Sequence, residues 1–478
     1  MTDNCFAMSA ENLELIHRDA VRMLAEIGIR IGHGAMRERL AALGGRVEGE
    51  RVLFPEDTVT AALKRLPDSF PLFGRSTERA EILDLNHTLC TNTGILPNIY
   101  DFETREIRRA TLKDVETTTR LLDAMDNVPV IYVSLVDATE LEPHMVTAND
   151  FAATLCNTTK PLLGPGLTSR AEAETIIAMA RAVRGGDADL LRKYPICAPF
   201  ICPITPLQFP DEIVDALIAI AEAGLPLNVV TNPVMGLTSP YTIASTVALG
   251  HAETLACAVL ADAVTPGLPI LNMNTPSVAD MRTLASTTGG PETGLIRRTV
   301  IELSHHLQIP GGAHGHTSSA KIDYQAADEK ALNTLVIASA RPSILGGLGG
   351  LANVTLTAYE TIVLDNERYG AILRILDGVQ VDEDHLGFQV IADMVLSGDV
   401  LTHPHTSQHL RSGEVFDPRL ADRRGLVSGK AEPATSVDRA RDEARRLIET
   451  YEVEPLEPEV DAEISELLRR HELAGRGR

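Results

Sequence analysis

Two groups of histidines are the first residues in this sequence whose types and spacing could do chemistry. His314 and His316 are separated by one residue, so both imidazoles could project from one extended segment toward a metal ion. His403, His405 and His409 form a denser group near the C-terminus. We favour a polar pocket or a loop-packing role for the first pair and a hydrogen-bonded structural cluster for the second. The sequence therefore predicts no tightly bound metal.

The segments that we expect at the carboxyl ends of the strands are small, polar and almost uncharged. Hydrolases and isomerases usually place carboxylates, lysines or histidines at such positions for acid, base or metal work. No cysteine is accompanied by the His and Asn that nucleophilic catalysis would need. The predicted strand ends are Asn92-Thr93-Gly94, Ser134, Gly164-Pro165-Gly166, Cys202, Thr231-Asn232, Asn272-Met273-Asn274-Thr275, His314-Gly315-His316 and Gly346-Gly347.

These side chains need a scaffold, and the chain between residues 87 and 355 supplies a regular alternation of strand and helix patterns. Short apolar runs ending in Gly, Pro, Asn or Thr recur roughly every 30 to 45 residues, the length of one β/α unit. Such a series predicts a TIM (β/α)8 barrel of the α/β class, whose active site lies at the carboxyl ends of its strands. A doubly wound open sheet is the main structural alternative, although no GxGxxG follows the first run. The predicted strands are His87–Asn92, Val130–Leu135, Pro161–Gly164, Ile196–Ile201, Pro226–Val230, Pro269–Asn272, Gln308–Gly311 and Ser343–Gly346.

Helical periodicity fills the intervals between these runs and continues on both sides of them. We predict three parts: an N-terminal helical/β subdomain over residues 1–86, the barrel over 87–355, and a C-terminal helical extension packed on the barrel over 356–478. Ser436 is the expected cap of one C-terminal helix. The predicted helices after residue 87 are Leu112–Met125, Asn149–Leu155, Ala171–Val183, Pro210–Ala223, Ile243–Ala261, Gly294–His306, Asp323–Ala340, Leu356–Leu376, His385–Ser397, Ser436–Tyr451 and Glu459–His471.

Composition limits the classes of partner. The 478 residues include 43 Lys and Arg against 66 Asp and Glu, a formal net charge of −23, which would repel phosphate backbones and anionic lipid surfaces. With 44% hydrophobic residues the chain falls in the globular range. The N-terminus has no signal-peptide pattern, so we expect a cytoplasmic protein with reduced cysteines and no nucleic acid or membrane partner.

Several runs resemble the trimethylamine methyltransferase family over essentially the whole chain. One run covers residues 318–330 (SSAKIDYQAADEK), and a second covers residues 361–367 (TIVLDNE). A third run covers residues 401–406 (LTHPHT) and is followed by Asp422-Arg423-Arg424. A fourth covers residues 26–30 (EIGIR) near the N-terminus. Each run is modestly specific, and their order and spacing carry the resemblance.

The resemblance implies a methyltransferase on a TIM barrel that passes a methyl group from an amine to the cobalt of a separate corrinoid (cobalamin) protein. Archaeal trimethylamine enzymes of the family carry pyrrolysine, whereas this chain contains standard residues alone, with Lys321 in about the region of that position. It therefore resembles the non-pyrrolysine branch, which acts on quaternary amines such as glycine betaine. Displacing a neutral tertiary amine requires no general acid, and this agrees with the uncharged strand ends.

A quaternary ammonium pocket needs aromatic faces or carboxylates. Aromatic residues are scarce, with no Trp, 8 Tyr and 10 Phe. We predict that Tyr100 and Tyr359 line the substrate pocket and consider Tyr324 as a further candidate; no catalytic residue is predicted. The full predicted substrate-binding set is Tyr100, Tyr359, Glu360, His314, His316 and Asp323.

A corrin ring must approach the methyl group closely, and missing side chains would permit that approach. We predict cofactor contacts from the glycine-rich run that follows the eighth strand and from two asparagines able to bond corrin amides. The predicted residues are Gly346, Gly347, Gly349, Gly350, Asn272 and Asn274.

Two other functions stay open at this stage. A metal-dependent hydrolase on the same barrel would bind zinc through His314 and His316. A non-catalytic quaternary-amine-binding protein would bind the amine without demethylating it. We also expect a homo-oligomer.

Overall fold

The computed structural model describes residues 7–423, 425 and 434–475. Its N-terminal part combines short helices with small antiparallel pairings, in which β1 pairs with β3 and β3 with β2, while β4 and β5 form a hairpin. Its elements, in chain order, are α1 (Ala10–Glu26), β1 (Ile29–Ile31), α2 (Gly34–Ala42), β2 (Arg46–Glu48), β3 (Arg51–Leu53), α3 (Glu56–Leu63), β4 (Phe70–Phe73) and β5 (Ala80–Leu83).

The strands of the remaining chain are mostly short, and eight of them form two all-parallel sheets. The strands are β6 (Leu89–Asn92), β7 (Asn98–Tyr100), β8 (Ile107–Arg109), β9 (Ile131–Tyr132), β10 (Leu162–Gly166), β11 (Cys197–Ile201), β12 (Gln208–Phe209), β13 (Leu227–Val229), β14 (Val234–Met235), β15 (Ile270–Asn272), β16 (Ser277–Asp280), β17 (Ala285–Thr287), β18 (Gly312–His314), β19 (Ile344–Leu348) and β20 (Leu356–Thr357).

Helices alternate with these strands and then continue alone to the C-terminus. They are α4 (Leu112–Asp123), α5 (Pro143–Cys156), α6 (Arg170–Ala182), α7 (Ala188–Lys193), α8 (Asp211–Ala223), α9 (Ile243–Asp262), α10 (Pro291–His306), α11 (Tyr324–Ala338), α12 (Tyr359–Asp377), α13 (Glu383–Leu386), α14 (Phe388–Ser397), α15 (Pro404–His409), α16 (Ser436–Thr450) and α17 (Pro458–Gly475).

Two parallel sheets form the centre of this α/β fold. One has the order β15-β13-β11-β10-β9 and the other the order β18-β19-β6. A parallel bridge between Asn272 and Gly311 links β15 to the segment leading into β18. Between β6 and β9 the Asn92 amide replaces backbone pairing: its Oδ1 accepts from the Tyr132 N–H at 2.9 Å, and its Nδ2 donates to the Tyr132 carbonyl at 2.8 Å.

Alternate residues of the parallel strands face two different apolar layers, as a strand buried on both faces requires. Ile131 and Leu162 belong to the large core between strands and helices. Their neighbours Tyr132 and Leu163 belong to a second core on the opposite face. The β4–β5 hairpin inserts Phe70, with Leu72 and Leu83, into that second core, so the N-terminal part is packed against the strands.

Helix α9 is apolar on all sides and is long and apolar enough to cross a membrane, but 83% of its most apolar window is buried inside the protein. A helix without a polar face is stable in a soluble fold only when neighbours surround it. Helices α1, α3 and α10 pack against α9 and supply that cover. At the other end of the chain, α16 packs on α12 and α4, and α17 on α5 and α6.

Several predicted boundaries are wrong for local reasons. The predicted strand Gln308–Gly311 is mostly a turn, with Gln308 at φ +57°, and the strand β18 begins four residues later, at Gly312. Pro143 at the first turn starts α5 earlier than Asn149. Leu356 lies in β20 rather than in a helix.

Two further predicted boundaries in the C-terminal part are also wrong. Gly387 in the left-handed region divides the predicted helix His385–Ser397 into α13 and α14. Thr435, rather than Ser436, caps α16 through a capping box with Asp438.

Candidate active site

A cavity of about 310 Å³ lies where the carboxyl ends of the parallel strands meet. Its walls come from segments far apart in sequence: the ends of β6, β9, β11, β13, β15 and β18, together with α10 and the β16–β17 hairpin. None of the lining residues is an aspartate or a glutamate. Its lining includes Thr93, Ile95, Tyr132, Phe200, Cys202, Ser277, Ser286, Arg297, His314 and His316.

One wall of this cavity is a row of four rings. The Tyr132 and Phe200 ring centroids lie 5.7 Å apart, and the Tyr132 and His314 rings meet edge to face at 5.7 Å. The His314 and His316 ring centroids are 5.2 Å apart. The π faces of Tyr and Phe carry negative potential, which attracts cations. Neutral imidazoles extend this wall without adding positive charge.

Arg297 of α10 is the charged residue of the cavity, and its side chain is buried. Its Nη1 donates to the His314 carbonyl at 2.6 Å and to Nδ1 of His316 at 3.1 Å. Its Nε donates to the Pro276 carbonyl at 3.2 Å. Burial lowers the pKa of Arg297 to about 9. Among the residues that the structure describes, no carboxylate lies within ion-pair distance of this guanidinium. A buried cation with neutral protein partners is unusual and is compatible with an anionic ligand group.

The hydrogen bonds of His316 fix its tautomer. Because Arg297 donates to Nδ1, the ring proton is on Nε2, which donates to Oγ1 of Thr93 at 3.0 Å. Burial, and then the charge of Arg297, lower the pKa of His316 well below its usual value. Both ring nitrogens are therefore occupied, and neither has a lone pair for a metal ion. The predicted hydrolase alternative, with zinc on His314 and His316, has no support in this geometry.

His314 differs from His316 because its Nδ1 is buried without a hydrogen-bond partner among the described residues. Burial and the nearby Arg297 lower the pKa of His314 to about 3, so the ring is neutral at physiological pH. Gly346 on the neighbouring strand approaches it so closely that a Cβ there would lie 2.6 Å from this nitrogen.

A second cavity of about 270 Å³ adjoins the first, and Ile95, Phe200 and Cys202 line both. It contains a buried carboxyl group, Asp150, which accepts from Oγ of Ser134 at 3.1 Å and from the Ala138 N–H at 3.2 Å. Burial, and then the neighbouring Asp137, raise the pKa of Asp150 to about 8. At neutral pH this carboxyl group is largely protonated.

The three tyrosine candidates do not line the first cavity. Tyr100 lies in β7, where its hydroxyl donates to the Ala320 carbonyl at 2.8 Å and the Arg105 guanidinium covers its ring. Tyr359 starts α12, and its hydroxyl donates to Oδ1 of Asp114 at 3.0 Å. Tyr324 is 82% exposed at the start of α11. The expectation that they surround the amine is not supported, because each side chain is held elsewhere.

The two predicted acidic residues are also separate from the cavity. Glu360 is buried beneath the outer helices, where it forms an ion pair with Arg105. Asp323 is exposed and caps α11 by accepting from the Ala326 N–H at 3.0 Å, a hydrogen bond that lowers its pKa. Of the six predicted substrate-binding residues, His314 and His316 are the two that the structure brings into the cavity.

The glycine-rich run of residues 346–350, which includes the end of β19, is buried within the packing and does not form an open face. Gly347 has φ +112°, and a Cβ there would lie 2.3 Å from the Gly315 carbonyl oxygen. Gly349 has φ +87°, and a Cβ at Gly350 would lie 2.9 Å from Thr93. Gly346, described above, is equally constrained. Close packing within the fold therefore explains the glycines at these positions without a corrin ring.

Asn272 and Asn274 were expected to reach corrin amides, but both are 1% exposed. Asn272 donates to Oγ of Ser304 at 2.9 Å. Asn274 accepts from Oγ1 of Thr231 at 2.7 Å and donates to Oγ1 of Thr254 at 3.1 Å. Their amides join neighbouring strands to α9 and α10 and are not available at the surface.

The sequence interpretation missed Tyr132, Phe200 and Arg297. Tyr132 and Phe200 lie inside predicted strands and were treated as ordinary apolar residues. The sequence feature that could have identified them is their position near the carboxyl ends of those strands. Arg297 lies inside a predicted helix, and its signal was a charged side chain on a helix that must be packed against strands.

Comparison with known proteins shows which family this chain resembles. A family model described as trimethylamine methyltransferase (MTTB) matches residues 2–475. The trimethylamine methyltransferase MttB of Desulfitobacterium hafniense (strain DSM 10664 / DCB-2) is 28% identical over 468 residues, covering 97% of this chain and 93% of that protein. A glycine betaine methyltransferase of Desulfitobacterium hafniense (strain Y51) is 27% identical over 460 residues, covering 96% and 95%.

Solved structures agree at the level of the fold. The hydroxylamine complex of MtmB superimposes with a TM-score of 0.57 at 14% identity, covering 95% of this chain and 90% of that one. The Methanosarcina barkeri monomethylamine methyltransferase MtmB gives a TM-score of 0.56 at 14% identity, with coverages of 94% and 89%. The α/β architecture described above is therefore shared with these proteins.

Proposed function

The chain belongs to the trimethylamine methyltransferase family, and from this membership we propose the reaction that its cavity serves. The protein is a methyltransferase, and we propose that its substrate is a quaternary amine that also bears a carboxylate, as glycine betaine does. The proposed methyl acceptor is the Co(I) of a corrinoid held by a separate protein. The observation that carries the proposal is the aromatic-walled cavity in which a buried arginine has no carboxylate partner among the described residues.

The ring wall supplies the cation site. A trimethylammonium group has no N–H to donate, so recognition depends on apolar contact and on the negative faces of rings. Tyr132 and Phe200 provide two such faces, and the neutral rings of His314 and His316 continue the wall. A volume of about 310 Å³ suits a small molecule.

Arg297 supplies the selectivity between amines. A substrate with a net positive charge, such as choline, would meet this guanidinium without a compensating carboxylate in the cavity wall. A zwitterionic betaine would place its carboxylate near Arg297 and its ammonium group against the rings. The charge balance therefore favours a carboxylate-bearing amine.

The proposed methyl transfer needs little general acid or base catalysis from this chain. A reduced corrinoid supplies the nucleophile when its protein is bound. The C–N bond breaks with its electron pair on nitrogen, so the leaving group is a neutral tertiary amine that needs no proton. The residues of the cavity orient the substrate, and the closed packing around it excludes water. The lack of carboxylates and the low pKa values of both histidines agree with this role.

We also infer that the eight parallel strands close into a (β/α)8 barrel. The pairing order β6-β9-β10-β11-β13-β15-β18-β19-β6 supports closure, because the last strand pairs with the first. The two junctions outside the sheets are the Asn272–Gly311 bridge and the Asn92–Tyr132 hydrogen bonds. An experimental structure with an open sheet would contradict this inference.

The proposed barrel keeps the domain limits expected from the sequence, with residues 1–86 before it and 356–478 after it. The pairing of β12 with β1 supports treating the N-terminal part as attached to the barrel. We further propose a cytoplasmic location and a homo-oligomer, neither of which depends on the cavity.

The face around the cavity fits a protein partner. The β16–β17 hairpin contributes Ser277 and Ser286 to the lining, while Met281 and Leu284 at its tip are 52% and 60% exposed. Ile95, which lines both cavities, is 52% exposed. Exposed apolar residues at a cavity entrance are typical of a docking surface. We propose that the corrinoid protein covers this face, since the acceptor must reach a methyl group inside.

A methyl-transfer assay tests the proposal. Purified protein would be supplied with free cob(I)alamin and, separately, with glycine betaine, choline, carnitine or trimethylamine, and methylcobalamin absorbance followed. We expect turnover with a carboxylate-bearing quaternary amine and little with choline or trimethylamine. Binding of betaine without any methylcobalamin would favour the non-catalytic binding protein, and turnover of trimethylamine alone would contradict the substrate class.

A further inference from the structure

One stretch of the C-terminal extension forms helices without a hydrophobic core of its own. Between Gly378 and Arg419 the chain forms α13, α14 and α15, yet no side chain that the structure describes in this stretch is buried. Apolar side chains such as Leu396 and Leu410 are 88% and 80% exposed. Helices this short are marginal without tertiary packing. Apolar burial therefore contributes little to the stability of this stretch.

Three potential metal ligands converge in this stretch. His405 and His409 are one turn apart on α15, with their ring centroids 4.1 Å apart. Asp384 comes from α13, some twenty residues earlier. Nε2 of His409 lies 3.1 Å from Oδ2 of Asp384. Nε2 of His405 lies 3.0 Å from the backbone carbonyl oxygen of Asp384. One ligand atom from each of the three residues lies within 4.8 Å of the others.

This donor set matches zinc. Two imidazole nitrogens and one carboxylate oxygen are the ligands of three-coordinate protein zinc sites that leave the fourth position to water. The i, i+4 spacing of histidines on one helix face is a recurrent way to present two imidazoles to one ion. Tetrahedral ligands at zinc are roughly 3.4 Å apart, so small side-chain rotations would complete the site. Calcium and magnesium prefer oxygen ligands and fit less well.

Neighbouring residues support the ligands. His403 caps α15 by accepting from the His405 N–H at 3.2 Å, which fixes the start of the helix that bears both histidines. His385 is hydrogen-bonded to Asp382 at 2.7 Å, and its ring centroid is 4.9 Å from that of His409. Supporting contacts of this kind orient ligands in zinc sites.

We propose that Asp384, His405 and His409 bind one Zn²⁺, which joins α13 to α15 and stabilises the stretch 378–419. The ion would close the intervening chain into a loop and supply the stabilisation that apolar burial does not. This proposal revises the expectation of a purely hydrogen-bonded histidine cluster. It is independent of the proposed methyl transfer, because no residue of the site lines the cavity.

Metal binding is tested on the full-length, tag-free protein after chelator treatment and dialysis. Isothermal titration with ZnCl₂, together with elemental analysis, should give one zinc per chain with a dissociation constant at or below about 1 μM. The double variant His405→Ala/His409→Ala and the single variant Asp384→Asn should each weaken binding at least about 100-fold. The control is His87→Ala, because His87 also contacts a carboxylate, Asp84 at 2.8 Å, but has no second histidine.

A second measurement separates binding from misfolding. Zinc should slow chymotryptic or tryptic cleavage at Leu396, Leu401 and Arg411 at least about tenfold in the wild type, and not in the double variant. Circular dichroism should show that the variants keep the remaining fold. No zinc uptake by the wild type, or equal uptake by the double variant, would overturn the proposal.

Discussion

Single residues of the cavity divide the proposed recognition of the amine. In the proposed complex, the rings of Tyr132 and Phe200 would face the cation and Arg297 would face the anion. Arg297 also donates hydrogen bonds to the His314 carbonyl and to the His316 ring. It therefore positions the ring wall as well as supplying the positive charge of the cavity. Selectivity and cavity shape therefore depend on the same guanidinium, and the two contributions need separate controls.

Replacing Arg297 by Met should raise KM for glycine betaine about 10- to 150-fold, because hydrogen bonds to a charged partner contribute about 1.5–3 kcal/mol. Turnover of choline, which lacks a carboxylate, should stay the same or increase. Steady-state kinetics with both amines measure this change. The control is Arg298→Met, because Arg298 is also buried on α10 but pairs with Glu302 at 2.8 Å. An equal loss for both amines would show that Arg297 acts through cavity shape alone.

Replacing Phe200 by Leu should weaken betaine binding about 30-fold, since a desolvated cation–π contact contributes about 2 kcal/mol. Equilibrium titration with betaine measures the affinity. Tyr324→Leu should have no effect, because that tyrosine is exposed and distant from the cavity wall. Equal affinities of wild type and Phe200→Leu would remove the ring wall from the cation site.

The raised pKa of Asp150 predicts a pH dependence of stability. The native carboxyl group has a pKa of about 8, against about 3.9 when unfolded, so native protein keeps a proton that the unfolded chain releases. This contribution to stability is fully present below about pH 4 and is lost as the pH rises toward 8. Asp150→Asn mimics the neutral carboxyl group. Its melting temperature relative to wild type should therefore increase by at least about 2 °C between pH 5 and 8. A constant difference across this range would contradict the raised pKa.

At the scale of elements, the loop after β19 depends on a buried ion pair. Asp365 of α12 accepts from the Gly349 N–H at 2.9 Å and pairs with Lys330 of α11, and both side chains are 3% exposed. Two helices and the strand-end loop are thus joined at one carboxylate. Just before this loop, Gly347 of β19 packs so closely against Gly315 that no side chain would fit there.

Replacing Asp365 by Asn should destabilise the protein by about 3–5 kcal/mol, because Lys330 would keep a buried charge without its partner. Denaturant unfolding measures the free energy. The double variant Lys330→Met/Asp365→Leu should recover much of this loss, since it removes the two fully buried charges and leaves Arg368, a second partner of Asp365 that is partly exposed. If the single variant is as stable as wild type, the pair does not hold the loop.

At the scale of the whole molecule, the apolar hairpin tip and the acidic surface determine what can dock. A net charge of −23 opposes nonspecific association with other acidic proteins, whereas the exposed Met281 and Leu284 provide a local apolar contact. The same hairpin contributes Ser277 and Ser286 to the cavity lining, so the proposed docking at its tip would bring the acceptor close to the cavity.

Replacing Met281 and Leu284 together by Asp should reduce methyl transfer to the cognate corrinoid protein at least about tenfold, because it removes the apolar contact of the docking face. Transfer to free cob(I)alamin should be unchanged. The control is Leu332→Asp, an exposed apolar residue on α11 outside the cavity lining. Equal losses with both acceptors would show that the hairpin shapes the cavity instead.

The sequence by itself determined the alternation of strands and helices, the carboxyl strand ends and the family, because strand and helix periods and turn residues are local properties. It placed His314 and His316 at a strand end, and the structure brings both into the cavity. It also predicted the five described cysteines to be free thiols, and they are free; Cys5 lies outside the described residues.

Only the tertiary structure decided which side chains meet. Tyr132 and Phe200 are neighbours because β9, β10 and β11 pair in parallel register, and no local pattern records that register. Tyr359 and Glu360 follow the eighth strand in sequence, yet α12 directs them toward Asp114 and Arg105. In the part of the chain that the structure describes, Arg297 has no carboxylate partner, whereas Asp384 lies close to His405 and His409. Both observations have the same physical reason, because contacts between distant segments depend on how whole elements pack.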